Sequence, residues 1–143
     1  LTMTSAESCT GGLIAKSMTD MAGSSDVFWG GFVTYSNESK EKLIGVPLAV
    51  LEKYGAVSEQ TVRAMAEGAL TRSGADCSIA VSGIAGPGGG SDEKPVGTVW
   101  IGAALKSGQI LSHVYLFEGD RAAVREKTAM TALTMLIEMI SRY

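Results

Sequence analysis

The sequence predicts an α/β domain in which helices pack on both faces of a mixed sheet. Three observations carry that expectation. The patterns follow one another as strand, helix, strand, three helices, three strands and a final helix. Residues 77–83, CSIAVSG, form a short run of the kind found in strands covered on both faces. The last two strands flank Lys106-Ser107-Gly108, which is hairpin chemistry and supplies an antiparallel strand to an otherwise parallel set. A chain of 143 residues fits one domain and is long enough to bury a core without disulfides or a structural metal.

Residues 1–6, LTMTSA, alternate apolar and polar and read as a strand beginning at the first residue. Chain termini usually fray outside the core, so a buried strand there leads us to expect that a segment upstream is missing. From Gly11 to Ala22, Leu13, Ile14, Met18 and Met21 recur at helical spacing, and Gly23 with two serines ends the pattern. Residues 28–35, FWGGFVTY, are aromatic and β-branched, and Gly30-Gly31 predicts a bulge or a close backbone approach within that strand. A short helix follows over 38–44, capped by Ser36 or Asn37. Pro47 then suits the first turn of another that reaches Tyr54. Ser58 is placed to cap a helix carrying Val62, Met65, Ala66, Ala69 and Leu70 on one face, closed by Gly74. Residues 96–105 and 109–117 are the hairpin strands. Asp120 caps a long last helix with Val124, Ala129, Ala132, Leu133, Leu136, Ile137 and Ile140 facing inward.

Composition narrows the function. The net charge of −3 argues against a protein whose main task is neutralising nucleic-acid phosphates. No apolar run approaches the ~18 residues of a membrane span, and no basic-then-apolar leader opens the chain. One histidine, His113, and two cysteines, Cys9 and Cys77, cannot build a zinc site from His and Cys alone. Two distant cysteines read as thiols in a reducing compartment, so the expectation is a cytoplasmic protein.

Ligands bind beyond the carboxyl ends of parallel strands in open α/β sheets. Three such ends carry unusual polar chemistry here: Glu7-Ser8-Cys9-Thr10-Gly11-Gly12, Tyr35-Ser36-Asn37 with Lys40 one turn further, and Ser82 to Gly90. Ser8 sits where a strand gives way to a helix start, exposing a hydroxyl among backbone N–H groups that could hold an oxyanion or a phosphate; alternatively Ser8 or Thr10 simply caps the helix. Cys9 is the rival nucleophile, or else a small residue packed inward. His113, in mid-strand, is poorly placed as a base. Lys40 lies in the first turn of its helix, where the macrodipole disfavours a cation, and that field with partial burial would lower its pKa; a solvated lysine beside Glu41 is the plain alternative. Tyr35 could relay or orient the proton. Four glycines among residues 83–90 permit a close backbone approach and an anion-binding nest, or only a flexible loop. Arg121 and Arg125 lie one turn apart at the start of the last helix, where a bound phosphate or carboxylate would account for them; plain surface arginines are the alternative.

Taken together, AESCTGG, GFVTYSNESK, GAVSE, SGIAGPGGG, KPVGTVWIG and GDR resemble the CinA C-terminal family, the nicotinamide-nucleotide amidases. The resemblance runs from Ala6 to the last helix. It implies a single three-layer α/β/α domain over 1–143, with a mixed, mostly parallel sheet of about five strands, lacking the helix with which family members begin. It implies hydrolysis of nicotinamide mononucleotide to nicotinate mononucleotide and ammonia in pyridine-nucleotide salvage, without cofactor or metal. It further implies a homodimer or higher homo-oligomer, with neither nucleic acid nor membrane as partner. Ser8 would be the nucleophile, Lys40 its base and Tyr35 an assisting hydroxyl. Cys9, Thr10 and Gly11 would supply backbone donors for the oxyanion. Ser82, Gly83, Ala85, Gly86, Gly88 and Gly89, with Arg121 or Arg125, would hold the ribose phosphate. Two other readings stand beside this one: a non-catalytic nucleotide-binding module of a CinA-type competence or damage-related protein, and a serine amidase for another small phosphorylated carboxamide.

Overall fold

A computed structural model describes residues 1–143. Its elements run β1 (Met3–Glu7), α1 (Leu13–Thr19), a single 3-10 turn (Ser24–Asp26), β2 (Phe28–Val33), α2 (Asn37–Ile44), α3 (Leu48–Tyr54), α4 (Glu59–Ser73), β3 (Cys77–Gly83), β4 (Thr98–Leu105), β5 (Ile110–Leu116) and α5 (Arg121–Arg142). The sheet order is β2-β1-β3-β4-β5. β1 pairs in parallel with β2 and β3, and β4 runs antiparallel to both of its neighbours. Four strands therefore point one way and β4 alone the other, the mixed, mostly parallel sheet that the pattern predicts.

Each face of the sheet has its own core. Ile14 and Met18 of α1 and Val124, Ala132 and Leu136 of α5 pack with Met3, Ile79 and Ile101 on one side. Ile44, Leu51, Val62, Met65 and Ala69 from α2, α3 and α4 pack with Ala6, Ala80 and Ala104 on the other. Every residue of β1 is buried and so is all of β3 except Gly83, because these central strands have helices on both faces.

Local signals fix the helix starts. Ser36, Ser58 and Asp120 each accept a backbone N–H three residues on, from Ser39, Thr61 and Ala123, and open α2, α4 and α5. Pro47 is the residue before α3 rather than part of its first turn. β1 begins at Met3, not at the first residue. The bulge expected in β2 occurs: the register skips Trp29 between Phe28 and Gly30.

One inner-face assignment fails, for Ile137 of α5 is 64% exposed. The expected first helix also overruns: α1 ends at Thr19, and Met21 beyond it is exposed. α5 rotates its buried stripe toward Thr128, Met135 and Met139, which leaves Ile137 on the outer side. One close approach matters for the site. Gly68 of α4 lies against the Ile44 carbonyl, so near that a Cβ would overlap the oxygen, and this seats the C-terminal end of α2 against α4. No helix is long and apolar enough to cross a membrane.

Candidate active site

The carboxyl ends of β1, β2 and β3 lie side by side, and the three polar segments that follow them converge on one cleft of about 320 Å³. Ser8, Cys9, Tyr35 and Lys40 form one side of it. The Ser82–Gly89 loop and Arg121 form the other, and Ala56 and Val57 close it from the segment before α4.

After β1 the chain makes a tight turn before α1. Ser8 donates its N–H to Val81 at 3.2 Å, and Gly11 donates to the Ser8 carbonyl at 3.1 Å. Neither Ser8 nor Thr10 caps α1: the N-cap is Gly12, with φ 108° and no side chain to offer. The cap is Glu7. Its buried carboxylate accepts the Thr10 hydroxyl at 2.6 Å and the N–H groups of Ile14 and Ala15 at 2.8 and 3.0 Å. The first-turn donors of α1 are thus spent internally, Ile14 and Ala15 on Glu7 and Leu13 on the Thr10 carbonyl, and do not face the cleft. Gly11 likewise cannot serve as an oxyanion donor, since its N–H closes the turn. The N–H groups of Cys9 and Thr10 make no backbone hydrogen bond.

After β2, Thr34 donates its N–H to the Glu7 carbonyl at 2.7 Å, extending the β1 pairing into the loop. Ser36 then starts α2, and Lys40 turns back beneath that loop with none of its surface exposed. Its Nζ donates to the Thr34 carbonyl at 2.8 Å, the Tyr35 carbonyl at 3.2 Å and Ser8 Oγ at 3.1 Å. No carboxylate joins them, for the two ion pairs of the protein, Lys16–Asp20 and Lys42–Glu38, are exposed helix pairs. Burial without a counter-charge lowers the Lys40 pKa from 10.5 to about 8. Two carbonyls occupy two N–H bonds and leave the remaining position of nitrogen toward Ser8. A neutral Lys40 aims its lone pair at the serine hydroxyl, which is what proton abstraction requires.

Cys9 is buried among the residues between the sheet and α5, and burial raises its thiol to about 11. It is a protonated, inward-packed thiol at neutral pH rather than a nucleophile. Tyr35 reaches the pair through its backbone carbonyl, which also lies 3.5 Å from Ser8 Oγ; its ring is largely exposed and its hydroxyl makes no hydrogen bond within the chain. His113 stands exposed on β5, the far edge strand.

The glycine loop follows β3, with Ser82 buried at the strand end. Gly86 has φ +84°, and a Cβ there would collide with Val96, so only glycine lets the loop fold back on the segment before β4. Arg121 Nη1 donates to the Gly86 carbonyl at 2.8 Å and leaves the rest of its guanidinium at the cleft. Arg125 does not line the cleft. Its Nε and Nη2 donate to the carbonyls of Cys9 and Thr10, both at 3.1 Å, behind the Ser8 turn.

Sequence reasoning missed Glu7, Thr34, Ala56, Val57 and Ile84. An acid closing a buried strand directly before a helix was a usable sign for Glu7. Thr34 acts through its carbonyl, which no residue type reveals. Ala56 and Val57 reach the cleft only because α4 starts beside it.

A family model described as the CinA C-terminal domain matches residues 1–140. The nicotinamide-nucleotide amidohydrolase PncC of Enterobacter agglomerans is 60% identical over 139 residues, which cover 96% of this chain and 85% of that protein. A CinA-like protein of Akkermansia muciniphila is 56% identical over 133 residues, 93% of this chain but 32% of its own length. The chain thus spans about a third of that longer relative. A crystal structure of a competence-damaged protein (CinA) superfamily member from Klebsiella pneumoniae superposes with a TM-score of 0.95 at 39% identity, covering 99% of this chain and 88% of that one.

Proposed function

The chain belongs to the CinA C-terminal domain family, and from that premise we propose that it is an amidase hydrolysing the carboxamide of nicotinamide mononucleotide to nicotinate mononucleotide and ammonia. The observation that carries the reading is the buried Lys40 Nζ, free of any acid partner, 3.1 Å from Ser8 Oγ. The name of the Enterobacter agglomerans relative, which this chain covers over 85% of its length, supports the substrate.

Lys40 takes the proton of Ser8 as Oγ bonds to the carboxamide carbon. The N–H groups of Cys9 and Thr10 receive the oxyanion of the tetrahedral intermediate. The carbon–nitrogen bond then breaks, the lysine proton leaves with ammonia, and an acyl ester remains on Ser8. Water, deprotonated by the same amine, adds to the ester and releases the carboxylate with Ser8 restored. Ala56, Val57 and Ile84 offer an apolar wall suited to a flat ring, while Arg121 and the N–H groups of the glycine loop suit a phosphate. Tyr35 assists at the mouth. Homo-oligomeric assembly in the cytoplasm goes with this reading through the family resemblance.

The test is ammonia release from nicotinamide mononucleotide by wild type, Ser8→Ala and Lys40→Ala, with folding checked by circular dichroism. Turnover by wild type and its loss in both folded variants is expected. Full activity in Ser8→Ala would refute the nucleophile, and an inert wild type would favour a binding module within a longer CinA-type protein.

A further inference from the structure

Arg125 stands outside the cleft, yet it is tied to the turn that carries Ser8 more closely than any other side chain on α5. Its Nε donates to the Cys9 carbonyl and its Nη2 to the Thr10 carbonyl, both at 3.1 Å, across more than a hundred residues of sequence. The two carbonyls are not equally dependent on it. Thr10 oxygen also accepts the Leu13 N–H at 3.1 Å, and the N–H of the same peptide, from Gly11, donates to Ser8. That peptide is held from three sides. The Cys9 oxygen accepts from Arg125 alone, and the Thr10 N–H of its peptide has no acceptor. In a planar trans peptide the C=O and N–H point in opposite directions. Anchoring the Cys9 oxygen on the guanidinium therefore turns the Thr10 N–H away from α5.

We propose that Arg125 is a positioning residue, which orients the Cys9–Thr10 peptide so that the Thr10 N–H is presented for the oxyanion formed at Ser8, and that it is not a ligand of the substrate's phosphate. Gly11 packs against the same guanidinium, its Cβ position 3.3 Å from Nη2, so the turn is shaped to seat an arginine. A lysine at 125 would keep the charge but lacks the rigid fork that spans two adjacent carbonyls. The two arginines of the helix start thus divide their work: Arg121 faces the cleft and Arg125 holds the turn behind it.

The inference rests on Ser8 being the nucleophile, and the experiment separates it from the choice of substrate. Wild type, Arg125→Ala, Arg125→Lys and Arg121→Ala are compared in two reactions, after thermal melting has shown which are folded. One is steady-state hydrolysis of nicotinamide mononucleotide. The other is modification of Ser8 by a small alkyl fluorophosphonate, in which an O–P bond forms, fluoride leaves and Lys40 takes the proton; this reagent carries no nucleotide. Both Arg125 variants should lower kcat about 100-fold with KM within about threefold, and slow phosphonylation by a similar factor. The acid limb of the pH profile should stay near 8, since Lys40 and Ser8 are untouched, and millimolar methylguanidinium should restore part of the rate of Arg125→Ala. Arg121→Ala should instead raise KM and leave phosphonylation unchanged. If Arg125→Ala raises KM while kcat and phosphonylation hold, Arg125 is a substrate ligand and the proposal is wrong. Should Arg125→Ala unfold, Arg125→Lys decides between the same two outcomes. A wild type inert toward the nucleotide but phosphonylated at Ser8, with slowing in the Arg125 variants, would sink the substrate and keep this assignment.

Discussion

Lys40 Nζ donates at 3.1 Å to Ser8 Oγ while the carbonyls of Thr34 and Tyr35 hold its other two hydrogens at 2.8 and 3.2 Å. The residues come from α2 and from the turn after β1, and the parallel pairing of β1 with β2 is what brings them together. A fully buried amine with three neutral oxygens and no carboxylate is costly as an ammonium, and that cost suits it to the proposed role of base.

Lys40→Met keeps much of the side-chain volume and removes the charge. It should lower turnover at least about 1,000-fold while leaving the circular dichroism spectrum unchanged. Lys40→Arg should be as inactive, because a guanidinium does not lose its proton in a protein. Steady-state rates and spectra of both variants check this.

The pH dependence follows from the lowered lysine pKa. In the proposed mechanism activity needs the neutral amine, so the rate should rise tenfold per pH unit below about 8 and level off above it. Stability moves in the same direction. Between about 8 and 10.5 the unfolded chain keeps a proton on Lys40 that the folded chain has lost, so unfolding free energy increases with pH across that window. The cost of burying the ammonium is fully present below about 8. Urea melts of wild type and Lys40→Met should therefore differ most at neutral pH, with Met the more stable, and converge toward pH 10.5.

Glu7→Gln should destabilise the fold by about 1–3 kcal/mol, because an amide NH2 would face one of the three donors the carboxylate now satisfies. Thermal melting reads the stability. Turnover should fall as well, since the amide faces the Ala15 N–H and the helix start behind the Ser8 turn loosens.

Gly68→Ala tests whether the seating of α2 reaches the site. A Cβ there overlaps the Ile44 carbonyl oxygen, and relief requires α2 to move away from α4. A loss of roughly 1–3 kcal/mol is expected, together with a lower kcat because Lys40 rides on α2. An alanine variant as stable and active as wild type would show that the helix pair has slack.

What the sequence made legible was what neighbouring residues decide. Ser58 and Asp120 cap their helices as read, and Ser36 rather than Asn37 caps α2, because the donor each one serves is three residues away. The meeting of Ser8, Lys40 and the Ser82–Gly89 loop follows from the strand ends wherever β1, β2 and β3 are parallel neighbours, as they are. Ile137 lies outside because spacing alone does not say which side of an apolar stripe finds a partner, and Met21 because α1 stops short of it. Arg121 and Arg125 looked equivalent at one helical turn apart; four residues are enough to put one at the cleft and the other against carbonyls 116 and 115 residues distant. Tyr35 was singled out for a hydroxyl, whereas the contact with Lys40 is made by its carbonyl.

The most direct measurement is an NMR titration of Lys40 itself, following the side-chain ε-carbon of lysine-labelled protein, with Lys40→Met to assign the resonance. A midpoint near 8, well apart from the other lysines, is the result this account predicts. A midpoint at the ordinary 10.5 would contradict it, for Lys40 would then be an ammonium at neutral pH and could not take the proton of Ser8.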